Sequence, residues 1–132
     1  DVITGQVLHD FYADALDNLV LDQGNLWLTS LDHALLDVLA CEDSTPCPLP
    51  FTVTKLDAQD LTEIEHWSFT HEPFGLPSVA LPFKTESLNQ VIVGTFMGDR
   101  LAYFDVDLKV EPLGEPLPLS HFPEIEPITE PE

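Results

Sequence analysis

The stretch "ALDNLVLDQGNLWLTSLDH" (residues 15–33) contains two apolar segments separated by a tight-turn signal. The segments 18–22 and 25–31 have strand-like composition, and Gln23-Gly24-Asn25 between them is typical of a hairpin turn. We therefore predict an antiparallel β-hairpin here. The polar pair Asp17-Asn18 stands at the mouth of this hairpin, directly before a strand that is expected to be buried.

Working outward from the hairpin, further strand signals recur about every ten residues. Apolar alternation or β-branched composition predicts strands at 5–13, 51–57, 61–69, 77–83, 90–96 and 101–107. The turn signal "DAQD" joins two of them into a second hairpin. Residues 33–41 instead place Leu35, Leu36, Leu39 and Ala40 at helical spacing, which predicts a short helix or turn. This rhythm is typical of an all-β sandwich, barrel or propeller.

The strands divide into two units, 5–57 and 61–107, each of about fifty residues and four strands, the size of a propeller blade. Beyond residue 107 the composition changes, and 108–132 is rich in proline and glutamate. Proline removes hydrogen-bond donors and favours extended backbone. We therefore predict an extended tail that lies over the surface or is disordered, with apolar side chains that could dock on an apolar surface.

The charge balance excludes several functions. Asp and Glu number 24 against 4 Lys and Arg, for a net charge of -20. Nucleic-acid binding through phosphates needs the opposite sign, and an anionic membrane surface would repel the chain. Such a charge attracts cations and suits a salty medium. Because no segment approaches the roughly 18 apolar residues of a spanning helix, we predict no membrane span.

The two cysteines, Cys41 and Cys47, lie close together in "CEDSTPC". No second Cys pair or Cys-His spacing completes a zinc site. Either a local disulfide closes a small loop, or the chain has two free thiols. A disulfide would imply an oxidising compartment, and with the acidic composition this predicts an extracellular or periplasmic location. The first residue is Asp1 rather than Met, which predicts a processed or trimmed N-terminus.

Two segments resemble a known family. The stretch "ALDNLVLDQGNLWLTSLDHALLDVLA" (15–40) resembles the Asp-Asn, strand, glycine turn, "LW", strand and His of paraoxonase-type arylesterases. The segments "GLPSVALPF" (75–83) and "VIVGTFMGDRLAYF" (91–104) resemble the last blade of the same family and of the wider gluconolactonase and senescence-marker-protein group. The resemblance covers residues 5–107.

The resemblance implies a six-bladed β-propeller with calcium in its central tunnel that hydrolyses lactones or esters. Asp17 and Asn18 match the family's calcium-binding pair, and His33 falls two residues after the family's pocket histidine. Thr95, Phe96 and Met97 match residues that line the pocket wall. The alternatives are that Asp17-Asn18 forms a turn that bonds its own backbone, that His33 is a surface or core residue, and that residues 95–97 pack the end of a strand.

The resemblance also implies that this chain is the last two blades only. A propeller needs about four blades or more to close its ring, and two alone would leave open edges and an exposed apolar face. We therefore expect another chain, or the rest of a cleaved precursor, to supply the missing blades. Two other readings are a propeller without catalysis that serves as a binding or structural subunit, and an unrelated small β module whose tail docks on a partner.

Overall fold

A computed structural model describes residues 1, 3–32, 46–69, 74–107 and 120–121 of the chain. Within these residues, eight strands form two four-stranded antiparallel sheets, each with its strands in chain order. The first sheet contains β1 (Leu19–Asp22), β2 (Asn25–Leu31), β3 (Phe51–Asp57) and β4 (Glu63–Phe69). The second contains β5 (Leu76–Lys84), β6 (Asn89–Phe96), β7 (Ala102–Asp105) and the two-residue β8 (Ser120–His121). Over the same residues, no helix is long and apolar enough to cross a membrane.

The predicted hairpin at 18–31 is confirmed. β1 pairs with β2 from Leu19 opposite Leu28 to Asp22 opposite Asn25. The two turn residues, Gln23 and Gly24, both have positive φ, at 47° and 79°. Two consecutive residues in this conformation match the twist of a two-residue hairpin, and glycine adopts it without steric cost.

Three features of the fold differ from the sequence predictions. Residues 5–13, predicted as a strand, belong to neither described sheet. The predicted hairpin of 51–57 with 61–69 is confirmed, and for that reason the break between the sheets falls between Phe69 and Leu76, later than the predicted unit boundary between 57 and 61. The predicted last strand is followed by β8, which lies within the predicted tail and pairs with β7. The predicted helix or turn at 33–41 lies outside the described residues.

The inner faces of the two sheets pack against each other, with β5 against β1 and β2. Strand alternation sends every second side chain into this interface. The Trp27 and Trp67 rings stack at 5.7 Å, and Trp67 meets Phe104 of the second sheet at 5.2 Å. The remaining members of the core cluster are also apolar: Leu31, Cys47, Phe51, Val53, Phe69, Phe74, Leu76, Ala80, Val91, Val93 and Ala102.

The second sheet is also apolar on its other side, which we call the outer face and define as Val79, Leu81, Phe83, Ile92 and Tyr103. Leu81 pairs with Ile92, and Ile92 pairs with Tyr103, so one apolar row crosses three strands. The side chains of Leu81 and Phe83 are 49% and 45% exposed. Both faces of this sheet therefore carry apolar side chains, and the outer face also carries the polar pair Gln90 and Asp105.

Cys47 is fully buried in the core cluster and does not occur as a free thiol. Its predicted partner, Cys41, lies outside the described residues. The Cys41–Cys47 bond and the location inferred from it therefore stay predictions.

Candidate functional site

The predicted site residues that the structure describes lie at one end of the two sheets. Asp17-Asn18 precedes β1, while the hairpin turn at 23–24 lies at the opposite end of the first sheet. In the second sheet, the start of β5 pairs with the end of β6, where Leu76 lies opposite Phe96. The ring contact between Phe51 and Phe74, at 5.3 Å, brings these two ends together. We call this end, which holds Asp17-Asn18 and residues 95–97, the open rim.

Asp17 is held by its backbone, and the side chains of Asp17 and Asn18 are not engaged. The Asp17 N–H donates a hydrogen bond to the Thr29 carbonyl on β2, at 3.3 Å. Both side chains are exposed. Neither makes a hydrogen bond or an ion pair with any residue that the structure describes. Their oxygen atoms are thus held at the rim without an internal partner.

Other aspartates of the chain do form the turns that Asp17-Asn18 lacks. The Asp57 carboxylate accepts a hydrogen bond from the Gln59 N–H at 2.7 Å, and the Asp60 carboxylate accepts one from the Thr62 N–H at 2.9 Å. These contacts two residues onward are the usual Asx turns. The hydrogen bond from Thr62 lowers the pKa of Asp60, because it stabilises the charged carboxylate. The backbone-bonded turn considered for Asp17-Asn18 is therefore absent at that position, although the chain uses it elsewhere.

Asp17 and Asn18 at the rim are residue types that calcium takes as ligands. Calcium takes about 6–8 oxygen ligands from carboxylates, amide carbonyls and water, and Asp17 and Asn18 offer one carboxylate and one amide. Within the described ranges, no group of three or more His, Cys, Asp and Glu side chains could hold a metal ion. The two residues fit calcium in kind, and a complete site needs further ligands from outside these ranges.

His33 lies outside the described residues, so its predicted role stays a prediction. The residue before it, Asp32, is described and was not singled out by the sequence analysis. The Asp32 carboxylate accepts a hydrogen bond from the Thr52 hydroxyl at 3.0 Å, and that hydroxyl also lies 3.0 Å from the Ser68 hydroxyl. Because Asp32 already has partners, it is less available than Asp17 to bind an ion.

The three predicted wall residues face different surroundings. The Phe96 side chain is 63% exposed. Met97 is half-buried against the core and has φ at 53°, which is uncommon for a residue other than glycine. The Thr95 hydroxyl points to the carbonyls of Phe74 and Leu76, at 3.3 and 3.2 Å. Of the three, Phe96 is therefore the one available to a ligand, while Thr95 bonds the protein itself.

An open depression of about 480 Å³ lies elsewhere, between the N-terminal segment and the turn after β3. Its lining residues are Asp1, Gly5, Gln6, Val7, Leu8, His9, Gln59 and Leu61. Because the β3–β4 turn is at the end of the first sheet away from Asp17, this depression is not part of the rim.

The chain matches no protein-family model, no curated protein and no solved structure. The family resemblance of residues 15–40 and 75–104 therefore remains a prediction. The candidate site at the rim is defined by the geometry of Asp17, Asn18 and Phe96.

Proposed function

We propose that this chain is part of a calcium-dependent β-propeller hydrolase that acts on lactones or esters, and that Asp17 and Asn18 are two of its calcium ligands. The observation that carries the proposal is the pair of unengaged side chains at the mouth of β1. Two consecutive four-stranded meanders also support it, because a propeller blade has this form. The family resemblance of the same residues points to the same chemistry.

In this proposal the remaining blades come from another chain or from the rest of a cleaved precursor. The outer face of the second sheet supports this, since exposed rows of apolar side chains mark surfaces that another element covers. Residues 5–13 support it as well. Val7 and Leu8 are exposed in a segment that is apolar enough to be a strand and pairs with no described strand.

The rim residues have distinct roles in the proposed reaction. Bound calcium would polarise the substrate carbonyl and stabilise negative charge on its oxygen. Asp17 would supply a full negative charge to the ion, and Asn18 a neutral amide oxygen. The exposed Phe96 ring would contact the apolar part of a lactone or ester and keep water away from it.

The test is calcium binding and lactone turnover by the complete assembly, with Asp17→Ala compared with Asp22→Ala. Asp22 is a matched control, because it is an aspartate at the far end of β1, away from the rim. We expect Asp17→Ala to weaken calcium binding and turnover by about 100-fold or more, since even residues that only orient a ligand are worth about 10–100-fold. Asp22→Ala should leave both unchanged.

If Asp17→Ala and Asp22→Ala had the same calcium affinity and the same rate of lactone turnover, Asp17 would be excluded as a ligand. A monomer of 14.7 kDa whose mass is the same with calcium and with a chelator would exclude the propeller assembly. The chain would then be a small β module.

A second candidate is a propeller or β module without catalysis that serves as a binding or structural subunit. The specific observation in its favour is the outer face, which fits assembly whether or not the rim is catalytic. An assembly that holds calcium but turns over no lactone or aryl ester would support this candidate over the hydrolase.

A further inference from the structure

We propose that Thr95 is a positioning residue that fixes Phe96 and Met97 at the open rim, and that it thereby sets the affinity of the site for apolar substrates. The effect on substrate rests on the proposed function. The positioning itself rests on contacts among three segments at the strand ends, formed by residues 46–50, 74–76 and 95–98, which we call the three loops.

The Thr95 hydroxyl lies among backbone carbonyls. Its oxygen is 3.3 Å from the Phe74 carbonyl oxygen, 3.2 Å from that of Leu76 and 3.2 Å from that of Phe96. A hydroxyl has one proton, so it donates to one of these carbonyls at a time. A hydrogen bond to the Phe74 or the Leu76 carbonyl ties the end of β6 to the start of β5 and the residues before it.

Two glycines make room for the Thr95 side chain. A Cβ on Gly75 would overlap the Thr95 hydroxyl, and a Cβ on Gly98 would overlap both this hydroxyl and the Phe74 carbonyl. Gly75 also has φ at 110°, a backbone conformation that residues with a side chain rarely adopt. The threonine therefore fills a space that exists only because both neighbouring positions lack a side chain.

The third loop holds Met97 from the other side. The Cys47 N–H donates to the Met97 carbonyl at 3.2 Å, and the Cys47 carbonyl accepts from the Gly75 N–H at 3.0 Å. A residue other than glycine keeps a positive φ only when its surroundings determine its conformation. The hydrogen bonds of Cys47 and Thr95 on either side of Met97 provide that constraint.

Phe96 lies between Thr95 and Met97, so both ends of its backbone are held while its ring is exposed. A rigid aromatic side chain binds apolar groups with little loss of conformational entropy. If the loops loosen, binding of an apolar substrate should weaken. The reaction itself should be spared, because Asp17 and Asn18 directly precede β1 of the other sheet.

The experiment compares Thr95→Val, which keeps the shape but removes the hydroxyl, with Thr95→Ser, which keeps the hydroxyl. Amide hydrogen exchange at Cys47 and Gly75 reports the constraint, because both N–H groups donate within the three loops. Steady-state kinetics of the complete assembly with an aryl acetate report the effect on the substrate.

For Thr95→Val we expect exchange at both amides to be about tenfold faster, the usual value of one hydrogen bond. We expect KM to rise about tenfold with kcat changed by less than about twofold, since a lost binding contact raises KM alone. Thr95→Ser should restore the wild-type values.

Unchanged exchange in Thr95→Val would overturn the positioning role. Faster exchange with unchanged KM, or a fall in kcat alone, would overturn the effect on substrate affinity. If the wild-type assembly hydrolyses no aryl acetate, the proposed function fails, and the exchange rates then decide the positioning role by themselves.

Discussion

The two faces of the second sheet carry similar residues in opposite surroundings. On the inner face, Ala80, Val91 and Val93 are fully buried against the first sheet. On the outer face, Leu81 and Phe83 are about half exposed, although Leu81 directly follows the buried Ala80 on the same strand. The difference teaches that strand composition marks a surface as suitable for burial, while a neighbouring sheet decides whether it is buried.

The largest effect should come from removing an inner aromatic ring. Trp67 contacts both Trp27 and Phe104, so Trp67→Ala leaves a cavity between the sheets and should lower the free energy of unfolding by about 3–5 kcal/mol. Phe83→Ala on the outer face is the aromatic control and should cost less than about 1 kcal/mol. Urea denaturation of both variants gives the two values, and equal losses would contradict the comparison.

The second effect sharpens the comparison between a crowded and an open position. Gly75→Ala combines a positive φ with overlap against Thr95 and Gly98, and should cost about 2–4 kcal/mol. Gly24→Ala also has a positive φ, but no atom lies near its Cβ, so it should cost only about 1 kcal/mol. Thermal unfolding of the two variants tests this order. A larger loss of stability for Gly24→Ala would show that steric overlap does not determine the cost of a side chain at Gly75.

The third effect concerns the outer face alone. The double variant Leu81→Ser, Phe83→Ser should change the stability of the chain by less than about 1 kcal/mol, because both side chains are already half exposed. It should nevertheless reduce association with the missing blades, since less apolar area would be buried. Native mass spectrometry of the assembly measures this. Unimpaired assembly would show that the outer face faces solvent.

The smallest effect is at a fully exposed position, Tyr12. Its hydroxyl donates a hydrogen bond to the Asp14 carboxylate at 2.7 Å. This bond, together with the Asp14 charge, raises the pKa of Tyr12 above its usual value of 10.0. A raised pKa means that the neutral phenol is favoured in the folded state, so the contribution to stability is present below pH 10 and is lost as pH rises through the folded pKa.

Asp14→Asn should therefore lower the pKa of Tyr12. Ultraviolet absorbance of tyrosinate during a pH titration measures it, and an unchanged titration curve would show that Asp14 does not control this group.

Local patterns predicted most strands, because alternation and turn residues act over a few positions. The hairpin at 18–31 and the strand at 51–57 follow from such signals. The second hairpin, of 51–57 with 61–69, was predicted from the turn at 57–60 and is confirmed. The grouping of strands into sheets was predicted less well, since the strand at 61–69 was assigned to the second unit but lies in the first sheet. β8 was missed, since two residues in a proline-rich segment show no alternation, and its pairing with β7 is a long-range contact.

For this protein, the sequence by itself determined the β class, the hairpin turn at Gln23-Gly24, the acidic charge and the presence of an Asp-Asn pair before a strand. Only the tertiary structure decided that this pair forms no Asx turn, that it lies at the same rim as Phe96, and that the Thr95 hydroxyl points inward. The physical reason is the sequence separation over which each kind of interaction acts. Residue preferences act between neighbours along the chain, whereas the hydrogen bonds of Thr95 and the contact between Phe51 and Phe74 join residues about twenty positions apart, which meet only when the sheets pack.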